Sequence, residues 1–200
     1  TVQGYLYTYK KDKIKPFGVG KPNAGEKCYS VMANGAKWKT TEDYVIENGL
    51  DANMIKTSMN AWDNEVPFQI FRNQNIIQTV DGADSSSPDG KNEVMQANLE
   101  STNTIAYTIV WGIFSGPIKT RELVEWDMVF NSNFVFGDAV INPNAMDYQN
   151  IATHELGHAL GLSHPTNTCT EETMYAYAEY GETKKRTLNR GDIAGIDNLY

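Results

Sequence analysis

The sequence predicts a single α+β domain built from a packed sheet layer and a helical layer. Three observations carry this reading: strand-like apolar runs through the middle of the chain, a helical face before them, and two helical patterns after them. The 200 residues suit one domain, and a chain of that size buries roughly 70% of the surface it exposes when unfolded. Charged residues at 21% and hydrophobic residues at 40% exclude a disordered tail or a fibrous repeat. A net charge of −8 repels phosphate backbones, so no nucleic-acid partner is expected. The longest apolar run, 104–114 (TIAYTIVWGIF), falls far short of the roughly 20 residues of a spanning helix, so no membrane span is expected.

Residues 1–27 are rich in Lys, Gly and Pro and read as an irregular arm of unassigned role, with the regular domain over 28–200. It opens with a strand-like segment at 28–33. Over 51–64, Ile55, Met59 and Trp62 fall on one helical face behind Asp51 as N-cap. Segment 66–71 (VPFQIF) reads as a strand with its proline near the start, and 81–91 (DGADSSSPDGK) as a loop. Strands are predicted at 94–99, 104–114 and 123–130. Asp147 is placed to cap a helix over 148–160 that Gly161 stops, and Ile193, Ile196 and Leu199 mark a closing helix over 189–200. The two cysteines, Cys28 and Cys169, allow one disulfide closing a long loop, or two free thiols.

The chemistry concentrates in His154-Glu155-Leu156-Gly157-His158-Ala159-Leu160-Gly161-Leu162-Ser163-His164, which holds all three histidines of the chain. On a helix His154 and His158 project from one face, one turn apart, and can converge on a tetrahedral Zn²⁺. Glu155 is offset by about 100° around the helix, which lets it reach a water beside the metal. Gly161 permits the left-handed turn that ends the helix, so that His164 can supply a third nitrogen. Three protein ligands leave a fourth position open, as in catalytic rather than structural zinc sites.

This stretch matches the HExxHxxGxxH signature of the metzincin metallopeptidases, and its wording (HELGHALGLSHP) resembles the matrixin branch. Asp147 with 151–153 is similar to the segment leading into the matrixin zinc helix. Leu188, 192–196 and Leu199-Tyr200 are similar to its closing helix, and Met59-Asn60-Ala61-Trp62 to the end of its first long helix. The resemblance implies a metzincin-type fold: a twisted mixed β-sheet over long helices, with zinc at the floor of a cleft. It also implies a Met-turn beneath the metal at Met174. The interval from His164 to Met174 is longer than the family's usual one and contains Cys169, while Ala176 and Ala178 replace residues of the usual pocket wall beside Tyr177. No histidine remains for a second, structural zinc, and Cys28 lacks the flanks of a cysteine switch.

By the resemblance, the activity is that of a secreted or extracytoplasmic, monomeric zinc endopeptidase. Glu155 acts as base and then acid on a zinc-activated water. The substrate is a peptide or protein lying extended along the exposed edge strand at 104–111, with Ile105, Ala106, Tyr107, Ala176 and Tyr177 in contact with it. Calcium is a further candidate cofactor, and Asp81, Asp84 and Asp89 offer oxygen ligands for it in the 81–91 loop. Two alternatives stand beside the enzyme: a catalytically inactive zinc-containing peptide-binding module on the same scaffold, and a hydrolase of another amide. For residues 1–27 one further reading is a pro-segment lying in the cleft, with Asp12 as a carboxylate able to block zinc.

Overall fold

A computed structural model describes residues 1–11, 21–77 and 79–200. The elements run β1 (Gln3–Lys11), β2 (Ser30–Val31), β3 (Glu42–Glu47), α1 (Ala52–Asp63), β4 (Phe71–Ile77), β5 (Glu93–Ala97), β6 (Thr104–Ile113) and β7 (Glu122–Asn131). There follow β8 (Phe136–Gly137), β9 (Met146–Asp147), α2 (Tyr148–Ala159), β10 (Leu162–Ser163), β11 (Tyr177–Ala178) and α3 (Arg190–Leu199). Among the described residues the main sheet has seven strands in the order β11-β1-β6-β7-β5-β3-β4. Strand β6 is antiparallel to both β1 and β7, and the remaining pairings are parallel, so the sheet is mixed.

The helices form where capping and periodicity meet. Asp51 accepts from the Met54 amide at 3.0 Å and starts α1, whose buried Ile55, Met59 and Trp62 face α2 and the sheet. Asp147 starts α2 by accepting from the Asn150 amide at 2.8 Å, and the Arg186 guanidinium clamps the same carboxylate from Nε at 2.8 Å. Helix α3 opens on a capping box of Asn189 and Asp192. The Trp62 indole donates to the Thr153 carbonyl at 2.8 Å and the Trp38 indole to the Ala159 carbonyl at 2.8 Å, so two buried tryptophans fix α2 at its middle and at its C-terminal end. Helix α2 is buried along its whole length from Asn150 to Ala159, which explains why its apolar face is not distinct in the sequence.

Two expectations are corrected here. The irregular reading of 1–27 fails over 3–11, which is the regular strand β1. Its period-2 alternation sends Tyr5, Tyr7 and Tyr9 to one face. The strand expected at 66–71 lies later, at Phe71–Ile77. There the chain pairs in parallel with β3, while the preceding Ile70 amide is taken by the Asp63 carboxylate at 2.9 Å. A disulfide joins Cys28 and Cys169, with Cα atoms 5.5 Å apart, and ties the segment before β2 to the loop between β10 and β11.

Candidate active site

Helix α2 carries His154 and His158 one turn apart, and the chain then reverses at Gly161, which has φ +96°. A Cβ there would stand 2.5 Å from the Ala36 carbonyl oxygen, so only glycine fits both the conformation and the space. The reversal brings His164 back against the helix. The three Nε2 atoms lie 3.2 Å (154 to 158), 3.2 Å (154 to 164) and 3.0 Å (158 to 164) apart.

Two rings have their other nitrogen committed. His154 Nδ1 lies 2.7 Å from the Thr173 carbonyl and His158 Nδ1 lies 2.9 Å from the Leu162 carbonyl. A carbonyl only accepts, so each Nδ1 carries the proton and each Nε2 presents a lone pair. Lone pairs at 3.2 Å cannot bond one another, and burial holds His154 and His158 well below the usual imidazole range. His164 is pushed down to about 4, by burial first and the nearby Lys185 charge second. Uncharged, converging nitrogens with ring orientations fixed by carbonyls are what a divalent cation needs, and the trio fits zinc.

Glu155 is fully buried beside them, and burial raises its carboxyl to about 8, partly offset by a hydrogen bond from the Thr108 hydroxyl. That hydroxyl donates to Oε2 at 2.6 Å, while Oε1 has no hydrogen-bond partner among the described residues. Met174 packs against α2 at Gly157, next to His158 in the chain. A Cβ at position 157 would fall 2.2 Å from its sulfur, so Gly157 is what lets α2 and Met174 approach. Asp192 on α3 holds this turn, accepting from the Thr173 amide at 2.7 Å and the Met174 amide at 3.0 Å. The closing helix is thereby connected through Thr173 to the orientation of His154.

The expected substrate-contact residues border the site, but the free edge strand does not exist here. Strand β1 pairs along β6, with Tyr9 opposite Ala106 and Thr8 opposite Tyr107, and Ile105 is buried beside a register shift. Strand β1 also pairs with β11, setting Lys10 opposite Tyr177, and the Lys10 amide donates to the Ala176 carbonyl at 3.3 Å. The reason for the correction is the tyrosine face of β1, which finds the histidine rings as its packing partners. Tyr7 stacks on His158 at 4.1 Å between centroids and Tyr9 on His154 at 3.6 Å. Asp12 lies outside the described residues.

The acidic loop resolves differently from its sequence. Asp84 and Asp89 gather with Glu125 of β7, ligand atoms within 4.8 Å of one another, and Lys91 pairs with both Asp81 at 2.6 Å and Asp89 at 2.5 Å. Asp84 Oδ2 and Glu125 Oε1 are buried with no hydrogen-bond partner among the described residues. Burial, with neighbouring carboxylates adding, raises Glu125 to about 7 and Asp127 to about 8. Thr108, Glu125 and Lys185 are not marked in the sequence, because each acts through a contact with no local period, and Asp192 is marked there only as part of the closing helix.

Fold and site together define a metallopeptidase-type α+β domain. A family model described as Matrixin matches residues 35–200, and the chain belongs to the matrixin family, a family of zinc metalloendopeptidases. Matrilysin of Rattus norvegicus is 24% identical over 196 residues, covering 90% of this chain and 64% of that protein. Matrilysin of Homo sapiens is 26% identical over 200 residues with the same coverage, 90% and 64%. Metalloendoproteinase 4-MMP of Arabidopsis thaliana is 38% identical over 56 residues, 28% of this chain and 16% of that protein. The chain therefore spans less than two thirds of the length of these relatives. No helix among the described residues is long and apolar enough to cross a membrane.

Proposed function

We propose that the chain is a zinc endopeptidase in which His154, His158 and His164 hold the metal and Glu155 is the general base. The observation carrying this is the cradle itself: three Nε2 atoms within 3.2 Å of one another, two of them deprotonated by carbonyl partners on the far nitrogen. Bound zinc supplies Lewis acidity to a water and to a peptide carbonyl. Glu155 is placed to accept a proton at Oε1, the oxygen without another partner among the described residues, and would pass it on to a leaving amine. Burial favours its neutral form and so supports the first transfer, the uptake of the proton, and Thr108 fixes the carboxylate so that Oε1 stays available. Met174, held by Asp192, supports the cradle from below without reacting.

The inactive peptide-binding module has one observation in its favour, a peptide strand already seated across the histidines. Retention of Glu155 favours the enzyme. The test is cleavage of a quenched peptide library by the zinc-loaded chain and its Tyr9→Ala variant, with a chelate-then-zinc control. Activity abolished by chelator and restored by zinc supports the peptidase. Silence of both zinc-loaded proteins, with peptides still bound, selects the module. A secreted or extracytoplasmic location is part of this reading, and the Cys28–Cys169 disulfide supports it, since such bonds persist in oxidising compartments.

Calcium is proposed at Asp84, Asp89 and Glu125, where two buried carboxylate oxygens lack a hydrogen-bond partner among the described residues. Calcium at 100 times its dissociation constant is expected to stabilise the chain by about 2.7 kcal/mol, a rise of roughly 5–10 °C in Tm. Glu125→Gln is expected to abolish that rise in a thermal melt. An unchanged Tm on adding calcium to the chelator-treated chain would remove this site from the proposal.

A further inference from the structure

Strand β1 engages the cleft as a bound peptide would. Its backbone extends β6 on one side and meets β11 on the other, and its two inward rings cover the histidine cradle. The Tyr7 hydroxyl reaches the Ser163 hydroxyl at 2.8 Å, and its ring stands edge-on to His164. Tyr9 is fully buried and goes deeper, past His154, where its phenol oxygen accepts from Lys185 Nζ at 2.6 Å.

Lys185 is an unusual residue for that position, a lysine with a fully buried side chain. Its place is fixed from both sides: its amide donates to Asn150 Oδ1 of α2 at 2.8 Å, and the adjoining Arg186 is clamped to Asp147. An ammonium has three protons to donate. Here they are matched by the Tyr9 phenol, the Tyr177 carbonyl of β11 and the Glu182 carboxylate, the last at 2.9 Å. Two of these three acceptors belong to the fixed wall of the pocket, and the third belongs to the occupant. A phenylalanine in the place of Tyr9 would fill the same volume and leave one proton of a buried cation without a partner.

We propose that β1 occupies the cleft as the chain's own substrate-like strand, and that Lys185 makes the pocket holding Tyr9 selective for tyrosine. The inference rests on reading this cleft as the peptide site of the peptidase. It deepens that reading in two ways. The ligand class becomes an extended peptide with a tyrosine seated beside His154, and the intact chain becomes self-covered, so that an incoming peptide must displace β1. Selectivity for a hydroxyl follows from an unmet buried donor, which discriminates far more strongly than a missing methylene does.

The test uses a fluorescein-labelled peptide of the β1 sequence, Gln-Gly-Tyr-Leu-Tyr-Thr-Tyr-Lys-Lys with its first two residues as in positions 3 and 4, that is QGYLYTYKK. Binding is followed by fluorescence polarisation to the zinc-loaded Glu155→Gln chain, with mass spectrometry checking that the peptide stays whole. Adding Tyr9→Ala to this chain is expected to tighten binding at least about 10-fold, because the tethered competitor is weakened. In that double variant the peptide with phenylalanine at its third tyrosine is expected to bind about 10- to 100-fold more weakly than the parent. Adding Lys185→Met should bring the ratio close to one.

Equal affinity with and without Tyr9→Ala overturns the covering strand, and a tyrosine preference that survives Lys185→Met overturns the role of Lys185. A second measurement needs no Lys185 variant. In the otherwise unaltered chain, Tyr9→Phe is expected to speed amide hydrogen exchange over residues 3–11 about 10-fold or more, and unchanged exchange overturns the proposal. None of these readouts requires peptide cleavage, so a zinc-loaded Tyr9→Ala chain that cleaves nothing, while these readouts come out as expected, sinks the peptidase reading and leaves the inference standing. Cleavage without a tyrosine preference does the reverse.

Discussion

Glu155→Gln is expected to lower kcat/KM for peptide cleavage by about 10²- to 10⁴-fold while leaving one zinc on the chain. The substitution keeps the volume of the side chain in a fully buried position, and the amide oxygen can still accept from the Thr108 hydroxyl that now bonds Oε2 at 2.6 Å. What it removes is the lone pair of Oε1, the oxygen with no partner among the described residues, and with it the capacity to take and return a proton. The loss should fall on kcat rather than KM, because Glu155 does not build the walls that hold a peptide. Rates are best compared in chains carrying Tyr9→Ala, so that β1 competes with the substrate as little as possible. Zinc content and the melting temperature, measured alongside, separate lost chemistry from lost structure. A glutamine variant that cleaves at close to the parent rate would place the base elsewhere.

The parts of this site that were legible in the sequence are those encoded over short distances. His154 and His158 share a helix face by spacing, Gly161 sets the turn that returns His164, and Asp147 and Asn189 cap their helices through bonds to amides one to three residues on. The central strands were legible for a similar reason, as apolar stretches whose ends lie within a residue or two of β5, β6 and β7. Strand β4 was displaced because its sequence FRNQNII is mostly polar. Pairing with β3, and not hydropathy, decides where it lies.

Strand β1 was misread for a different reason. Its alternating tyrosines were present, but the Lys, Gly and Pro of the whole 1–27 stretch outweighed them. The partners that make those tyrosines a packed face are histidine rings about 150 positions away. Lys185 shows the same limit. As one of the paired basic residues of KKR it reads as solvated surface, and only the fold reveals a buried ammonium between a phenol, a carbonyl and a carboxylate. The local motif therefore identifies the metal chemistry, while the residues that govern what may enter the cleft come from long-range contacts.

His158→Ala is expected to remove zinc and to loosen the end of α2 together, because one ring serves both. Its Nε2 is one of three converging nitrogens, and its Nδ1 holds the Leu162 carbonyl at 2.9 Å across the turn at Gly161. Two nitrogens cannot close a tetrahedral site against water and chelator, so zinc should be lost on dialysis where the parent keeps about one per chain. The vacated space is aromatic in size and buried, which costs about 3–5 kcal/mol, equivalent to a fall of roughly 6–20 °C in Tm for a chain of this length. The two effects are separable by chelation. Stripping zinc from the parent should lower its Tm by the metal's share alone, and the same treatment of His158→Ala should change nothing. A variant that retained zinc through dialysis would show that the three-histidine cradle is not where the metal binds.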